Sequence, residues 1–372
     1  MKRLLIVTNI PSPYRVDFFY YLQQNEKDYE IHIMFQSGNE NSFRTWKGGE
    51  EKLDNVHFLK SRVIKKVGFD ETEKFIPAGV GKKVNEIRPE IVVCMEYNPC
   101  AIMVKHWCNK KKVPYISWSD GTRHSERNIG LLQRLSRKYI IRNSAAFIAS
   151  STRTRENQIF LGANENIIFM SNLTVDIERY KNVINNYENT PPLKIIFVGS
   201  LIKRKGLDLL FNALGGIKDK DWILKVAGEG HEKKELIKQA EKIGIKERIT
   251  FLGFIDGDRL IKEYKDSDLF ILPTREDCYG LVILEAMCCG LPVISSKYAD
   301  GSYDLVENGM NGYIVDPENE TELKEKICLF LKQGDEKEKM GKAGRKKAEG
   351  FSFENVSKGF MEAINIAGRS DK

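Results

Sequence analysis

Residues 273–293 read Pro-Thr-Arg-Glu-Asp-Cys-Tyr-Gly-Leu-Val-Ile-Leu-Glu-Ala-Met-Cys-Cys-Gly-Leu-Pro-Val. The apolar run 269–272 reads as a strand, a polar loop follows, and Gly280 opens a helical pattern whose first turn is apolar. The start of such a helix leaves N–H groups without intrahelical partners at the positive end of the helix dipole, which suits an anion such as phosphate. Asp277 precedes the helix, and Glu285 follows eight residues later, about two turns on. A carboxylate accepts several O–H donors, so a pair in this arrangement suits vicinal diols. The same two residues could instead serve the fold, Asp277 as a helix cap and Glu285 as the buried partner of a base.

A second concentration of chemistry lies at 197–207, Phe-Val-Gly-Ser-Leu-Ile-Lys-Arg-Lys-Gly-Leu. A strand ends at Gly199, and Ser200, Arg204 and Lys205 fall in the loop before a helix near Gly206. Cations there would stabilise negative charge developing at the carboxyl edge of a sheet, or form a solvated basic turn. In the first half, Tyr14 and Arg15 follow the first strand. Asp120-Gly121 follows a strand at 115–118, with His124 four residues on. Asp120 could accept a hydroxyl proton or steady positive charge, or simply form an Asp-Gly turn. Asp-x-Asp strings at 219–221, 256–258 and 266–268 fit turns and helix ends, and no metal requirement is expected.

These positions need a scaffold, and the hydropathy pattern supplies one. Short, non-alternating apolar runs at 4–8, 29–35, 91–94, 115–118 and 146–149, then at 195–199, 222–227, 249–252, 269–272 and 292–295, read as strands buried on both faces. Helical stretches such as 16–24, 207–214, 233–243 and 281–288 separate them, which argues for parallel α/β sheets. The pattern restarts at 193 after a polar, proline-ended stretch at 185–192. The domains expected are 1–185, 193–350 and a terminal helical segment, 351–372, that could return to the first. Ligands of such sheets bind at the carboxyl ends of the strands.

Composition fits an ordinary globular chain of 372 residues, 41% hydrophobic and 30% charged. No apolar run approaches a membrane span, and the apolar stretch at 4–7 is too short for a signal-peptide core, so a cytoplasmic protein is expected. Seven cysteines without a C-x-x-C pair read as reduced, mostly buried thiols. The net charge of +7 is one-sided. Residues 1–190 hold 29 Lys and Arg against 21 Asp and Glu, a net +8, and the remainder holds 30 against 31. Such a basic half suits an anionic partner, such as a membrane surface or a phosphorylated acceptor; nucleic acid is not expected. The stretch 134–142 reads as a basic amphipathic helix able to rest on an anionic bilayer, or as a domain helix with one wet face.

The segment 273–293 resembles the signature of glycosyltransferase family 4, whose pattern is Glu, seven residues, Glu, a Phe-Gly-Leu-like core and a trailing Ala-Met-x-x-Gly-x-Pro-Val. Tyr279-Gly280-Leu281 and Glu285 to Val293 match in order and spacing, with Asp277 in place of the first Glu. The resemblance implies the GT-B fold, an α/β architecture of two Rossmann-like domains facing across a cleft, and retaining transfer from a nucleotide sugar. It implies that Glu285 holds ribose hydroxyls and that Asp277 approaches the donor sugar. The N–H groups of Gly280, Leu281 and Val282 would cradle the diphosphate. Lys205 matches the family's phosphate-binding lysine, and Ser200 stands where the family carries Arg, so that Arg204 could supply the missing charge. Phe254 falls in the segment that stacks on the base. The loop carrying Tyr14 and Arg15 is the family's approach to donor phosphate or acceptor, and Asp120 replaces a His beside the reacting sugar, with His124 as the other candidate. The implied reaction takes a hexose from a UDP-sugar, or next a GDP-sugar, to a saccharide or lipid-linked saccharide of capsule, exopolysaccharide or O-antigen synthesis, at the inner face of the plasma membrane. A GT-B epimerase and a non-catalytic glycosyltransferase-like subunit remain as alternatives.

Overall fold

The computed structural model describes residues 1–38, 48–180, 182–183, 190–332 and 335–369. The chain forms two compact units. The first comprises Met1–Lys66, Glu71–Asp176 and Phe353–Lys372, and the second Val67–Asp70 and Ile177–Ser352.

The first unit contains β1 (Lys2–Thr8), β2 (Tyr29–Phe35), β3 (Val56–Phe58), an antiparallel pair β4 (Lys60–Lys66) and β5 (Thr72–Ala78), then β6 (Ile91–Met95), β7 (Tyr115–Ser119), β8 (Ala146–Ala149) and β9 (Ile168–Met170). Seven of these form a parallel sheet in the order β3-β2-β1-β6-β7-β8-β9. Every residue of β6, β7 and β8 is buried, as a sheet covered on both faces requires. Successive side chains of β1 enter opposite cores. Leu4 and Ile6 join Val16, Phe19 and Phe360, while Leu5 and Val7 join Val84, Val104 and Ile140. The terminal helix Phe353–Ala367 is therefore part of the first unit's core. Phe360 packs edge-on against Trp118 and Phe18, with ring centroids 5.4 and 5.5 Å apart.

The second unit's sheet runs β12 (Ile249–Gly253), β11 (Trp222–Ala227), β10 (Leu193–Val198), β13 (Leu269–Leu272), β14 (Val293–Ser296) and β15 (Gly312–Val315), all parallel. Both sheets reverse direction of growth beside their first strand, between β1 and β6 and between β10 and β13. In a doubly wound sheet the crevice at that reversal is where ligands bind.

The apolar runs read from the sequence all coincide with strands. Missing from that reading are β3, β9 and β15, each three or four residues long, and β4–β5, whose alternating exposed and half-buried positions carry charge. The first unit's segment Glu71–Asp176 ends at Asp176, where the sequence reading expected a boundary at 185. Residues 185–189 of the expected linker lie outside the described residues. No helix among the described residues is long and apolar enough to cross a membrane.

Candidate functional site

In the second unit the loops after β10 and β13 meet at the sheet's reversal. Lys203–Lys205 forms a single 3-10 turn closed by Gly206. At Gly206 the backbone has φ +70°, and a Cβ would lie 2.0 Å from the Pro273 carbonyl oxygen, so only glycine lets the two loops approach this closely. The Lys205 ammonium lies 2.5 Å from Asp277 Oδ2, with both side chains about 15% exposed. Arg204 donates through Nη1 to the Glu276 carbonyl at 2.7 Å, and its Nε lies 2.9 Å from Asp70. Thr274 Oγ1 and the Arg275 N–H both donate to the Arg204 carbonyl, at 2.9 and 2.7 Å. Burial alone would raise the Asp277 carboxyl, but Lys205 and then Arg204 outweigh it and hold it at about 2.

Asp277 also shapes the turn into the next helix. Its Oδ1 accepts the Tyr279 N–H at 3.3 Å, and its backbone pairs with Tyr298 and Asp300. Tyr279 is buried against Gly301, so what it offers this edge is backbone rather than ring. Gly280 caps the helix Leu281–Cys288 in the left-handed region, and the first-turn N–H groups of Leu281 and Val282 have no intrahelical partner by geometry. Farther along that helix, Glu285 Oε2 accepts a hydrogen bond from Tyr264 at 3.1 Å. Burial pushes the Glu285 carboxyl up to about 7, against the smaller opposing pulls of that hydrogen bond and Arg179.

The loops after β10, β11 and β12 are laced together. Gly199 donates to Ala227, Leu201 to Glu229 and Gly228 to Gly253, at 2.8 to 3.0 Å. Ser200 lies in the first of these loops, and Phe254 follows Gly253 with 42% of its surface exposed.

In the first unit a smaller cluster sits at the carboxyl edge. Arg15, only 7% exposed, donates to Thr8 Oγ1 at 3.0 Å and lies 3.4 Å from Asp120 Oδ2. Its guanidinium lies over the Tyr14 and Trp118 rings. The Asp120 N–H donates to Glu96 Oε1 at 3.4 Å. Glu96 follows β6 with φ +68°, rare for a residue with a side chain. Burial, and next the adjacent Asp120, push its carboxyl well above the usual range. His124 lies in the turn beyond, its carbonyl accepting the Arg127 N–H at 3.3 Å.

The comparisons with known proteins bear on this geometry. Residues 176–347, nearly all of the second unit, match the family model described as Glycosyl transferases group 1. The fold is GT-B. The structure of Anabaena Alr3699/HepE in complex with UDP superposes with a TM-score of 0.77, covering 98% of this chain and all of that one at 19% identity. Sucrose-phosphate synthase from Thermosynechococcus elongatus superposes with a TM-score of 0.79 over both full chains at 14% identity. Among curated sequences, the uncharacterized glycosyltransferase MJ1607 of Methanocaldococcus jannaschii is 30% identical over 175 residues, 46% of this chain and 45% of its own. The chain spans about half the length of the curated relatives it matches.

The sequence-predicted residues fall into two groups. Gly199, Ser200, Arg204, Lys205, Phe254, Asp277, Tyr279, Gly280, Leu281, Val282 and Glu285 all sit on loops or helix starts at the carboxyl edge of the second sheet or on the helix that follows. Tyr14, Arg15, Asp120 and His124 lie at the carboxyl edge of the first. Sequence reasoning missed Glu96 and Tyr264. For Glu96 a signal existed, an acidic residue ending an apolar strand just before Asn98-Pro99 opens a helix.

Proposed function

We propose that this protein is a retaining glycosyltransferase that moves a hexose from a nucleotide sugar to a saccharide or lipid-linked saccharide acceptor, in bacterial capsule, exopolysaccharide or O-antigen synthesis. The observation that carries the reading is the Lys205–Asp277 pair at the reversal of the second sheet, beside the helix start at Gly280. In this reading the diphosphate lies against Lys205, Arg204 and the Gly280–Val282 N–H groups. Asp277 takes hydroxyls of the sugar, Glu285 takes the ribose diol, and Phe254 stacks on the base.

During transfer the bond from the anomeric carbon to phosphate oxygen breaks, and its electron pair leaves with the diphosphate. The cations of the loop stabilise that charge where it develops. The acceptor oxygen bonds to the anomeric carbon from the same face, and its proton passes to Asp120. A UDP-sugar is the favoured donor, because the HepE structures of the same fold hold UDP and UDP-glucose. With the loop cations neutralising the leaving group, no metal ion is needed.

A place at the inner face of the plasma membrane is part of the same reading. The helix Leu131–Ile141 leaves Leu131, Leu132 and Leu135 exposed by 74, 82 and 51% beside Arg134, Lys138 and Arg142. Exposed leucines rimmed by cations suit an anionic lipid surface.

Nucleoside diphosphate release from UDP-, GDP-, ADP- and dTDP-sugars, with saccharide and lipid-linked acceptors and with or without EDTA, tests the reading. Release from one donor, unchanged by EDTA, is expected. No release from any donor would overturn transfer, and loss of release in EDTA would overturn the metal-free mechanism.

A further inference from the structure

Asp120 does not stand alone at the carboxyl edge of the first sheet. Because β6 and β7 are neighbours in register, with Met95 opposite Trp118, the residues that leave them come together. Glu96 donates its backbone N–H to the Trp118 carbonyl at 2.8 Å, and the Asp120 N–H returns to Glu96 Oε1 at 3.4 Å. The two carboxyl groups also lie within hydrogen-bonding reach of each other. Two ionised carboxylates repel, so a hydrogen bond between them requires that one carry a proton. Burial, and next the charge of Asp120, place it on Glu96 against the smaller opposing pull of Arg15. The Arg15 guanidinium lies 3.4 Å from Asp120 Oδ2.

The other ionisable groups near Glu96 agree. Glu126, in the turn after Asp120, adds negative charge, although Arg137 at 2.5 Å balances it. Tyr97 and Cys94, on the same strand and its exit, are buried and neutral. A polar ligand reaches this edge at Asp120 rather than at the buried Arg15 Nε. Arg15 is more than nine-tenths buried, and its Nε has no hydrogen-bond partner among the described residues. The Asp120 side chain keeps 23% of its surface exposed and so remains open to one.

Resting on the transferase reading above, we propose that Glu96 is a positioning residue: as a neutral acid it donates a hydrogen bond to the Asp120 carboxylate and, with Arg15 on the other side, aims Asp120 at the acceptor hydroxyl. Glu96 itself touches no substrate. Its rare backbone conformation places the carboxyl beside Asp120 rather than along the strand. If Glu96 loses its proton, two negative charges face each other and Asp120 swings away.

The test compares the full-length wild type with Glu96→Gln and Glu96→Ala. Gln donates an N–H at every pH, whereas Ala donates nothing. Glu96→Ala is expected to lower kcat about 100-fold with the donor KM unchanged, as a misplaced catalytic group does. Glu96→Gln is expected to restore kcat to within about threefold of wild type, a conservative replacement of one donor by another. Wild-type kcat should fall on the alkaline side as Glu96 ionises, and Glu96→Gln should lack that limb. Equal impairment of both variants, or an alkaline limb retained in Glu96→Gln, would overturn the proposal. Infrared difference spectra of protein labelled with 13C-glutamate read the same claim without activity. Above pH 8, where Glu285 is ionised, a protonated-carboxyl band should be present in the wild type and lost in Glu96→Gln. If the wild type transfers nothing from any donor, the transferase reading fails, and that band alone decides whether Glu96 holds the proton: its presence supports the pair and its absence overturns it.

Discussion

Asp277 and Glu285 are carboxylates eight residues apart, and burial pushes both upward, yet they end on opposite sides of their ordinary range. Asp277 meets two cations and is held at about 2, while Glu285 meets one tyrosine hydroxyl and a more distant arginine and rises to about 7. The two respond to pH in opposite senses. The stability from the depressed Asp277 is present above its unfolded value and lost only as pH falls toward 2. For the raised Glu285, the favourable contribution is complete below about 4.5 and lost as pH rises through about 7. A ribose diol is held best by an ionised carboxylate, so nucleotide-sugar affinity should climb as pH rises through 7 and then level off, with a proton released on binding below that point. Calorimetric titration at several pH values and in buffers of different ionisation heat checks this. Glu285→Gln should flatten the profile and weaken binding by about 10-fold or more, the worth of a hydrogen bond to a charged group. A slope retained in that variant would place the titrating group elsewhere. Both carboxylates were legible in the sequence, because their spacing is local. Their protonation was not, because it depends on Lys205 and Tyr264, which fold back from distant positions.

At the scale of elements, the loop after β10 is held against the loop after β13 by the close approach at Gly206. Gly206→Ala would force a Cβ into the Pro273 carbonyl and a left-handed backbone on alanine. A loss of about 1–3 kcal/mol of stability is expected, read from denaturant unfolding, together with weaker nucleotide binding as Lys205 is displaced. An unchanged midpoint would mean the loops do not need this contact. The helix Leu131–Ile141 carries a different expectation. Its buried residues are Arg137, Ile140 and Ile141, so the exposed leucines add nothing to the core. Leu132→Asp with Leu135→Asp should abolish flotation with phosphatidylglycerol vesicles and leave the melting temperature unchanged. Equal flotation of variant and wild type would sink the membrane reading. From the sequence this helix showed its basic residues, but which of its leucines face outward was decided by packing.

For the molecule as a whole, the chain leaves the first unit at Asp176, builds the second, and returns to finish the first with Phe353–Ala367. Each unit has its own core, so the two need not unfold together. Phe360 is fully buried between Phe18 and Trp118, and Phe360→Ala should cost the first unit about 3–5 kcal/mol. Scanning calorimetry should show the transition of the first unit lowered, while nucleotide still raises that of the second. A single transition lowered as one, with nucleotide protection lost, would show the units to be one cooperative body. The sequence offers the terminal helical segment only as one that could return to the first unit, and Phe360 is the residue that joins its core.

By itself the sequence determined the α/β class, the ten main strands, the new strand that starts at 193 and the loops that carry Lys205 and Gly280. These depend on hydropathy runs, glycine positions and charge within a dozen residues of one another. Only the tertiary structure decided that Lys205 meets Asp277 across 72 residues, that Glu96 lies against Asp120, and that Glu285 accepts a hydrogen bond from Tyr264. The physical reason is sheet order. In both units the strands that sit side by side at the reversal are far apart in the chain, and the dielectric and counter-ions around a carboxylate are set by neighbours in space.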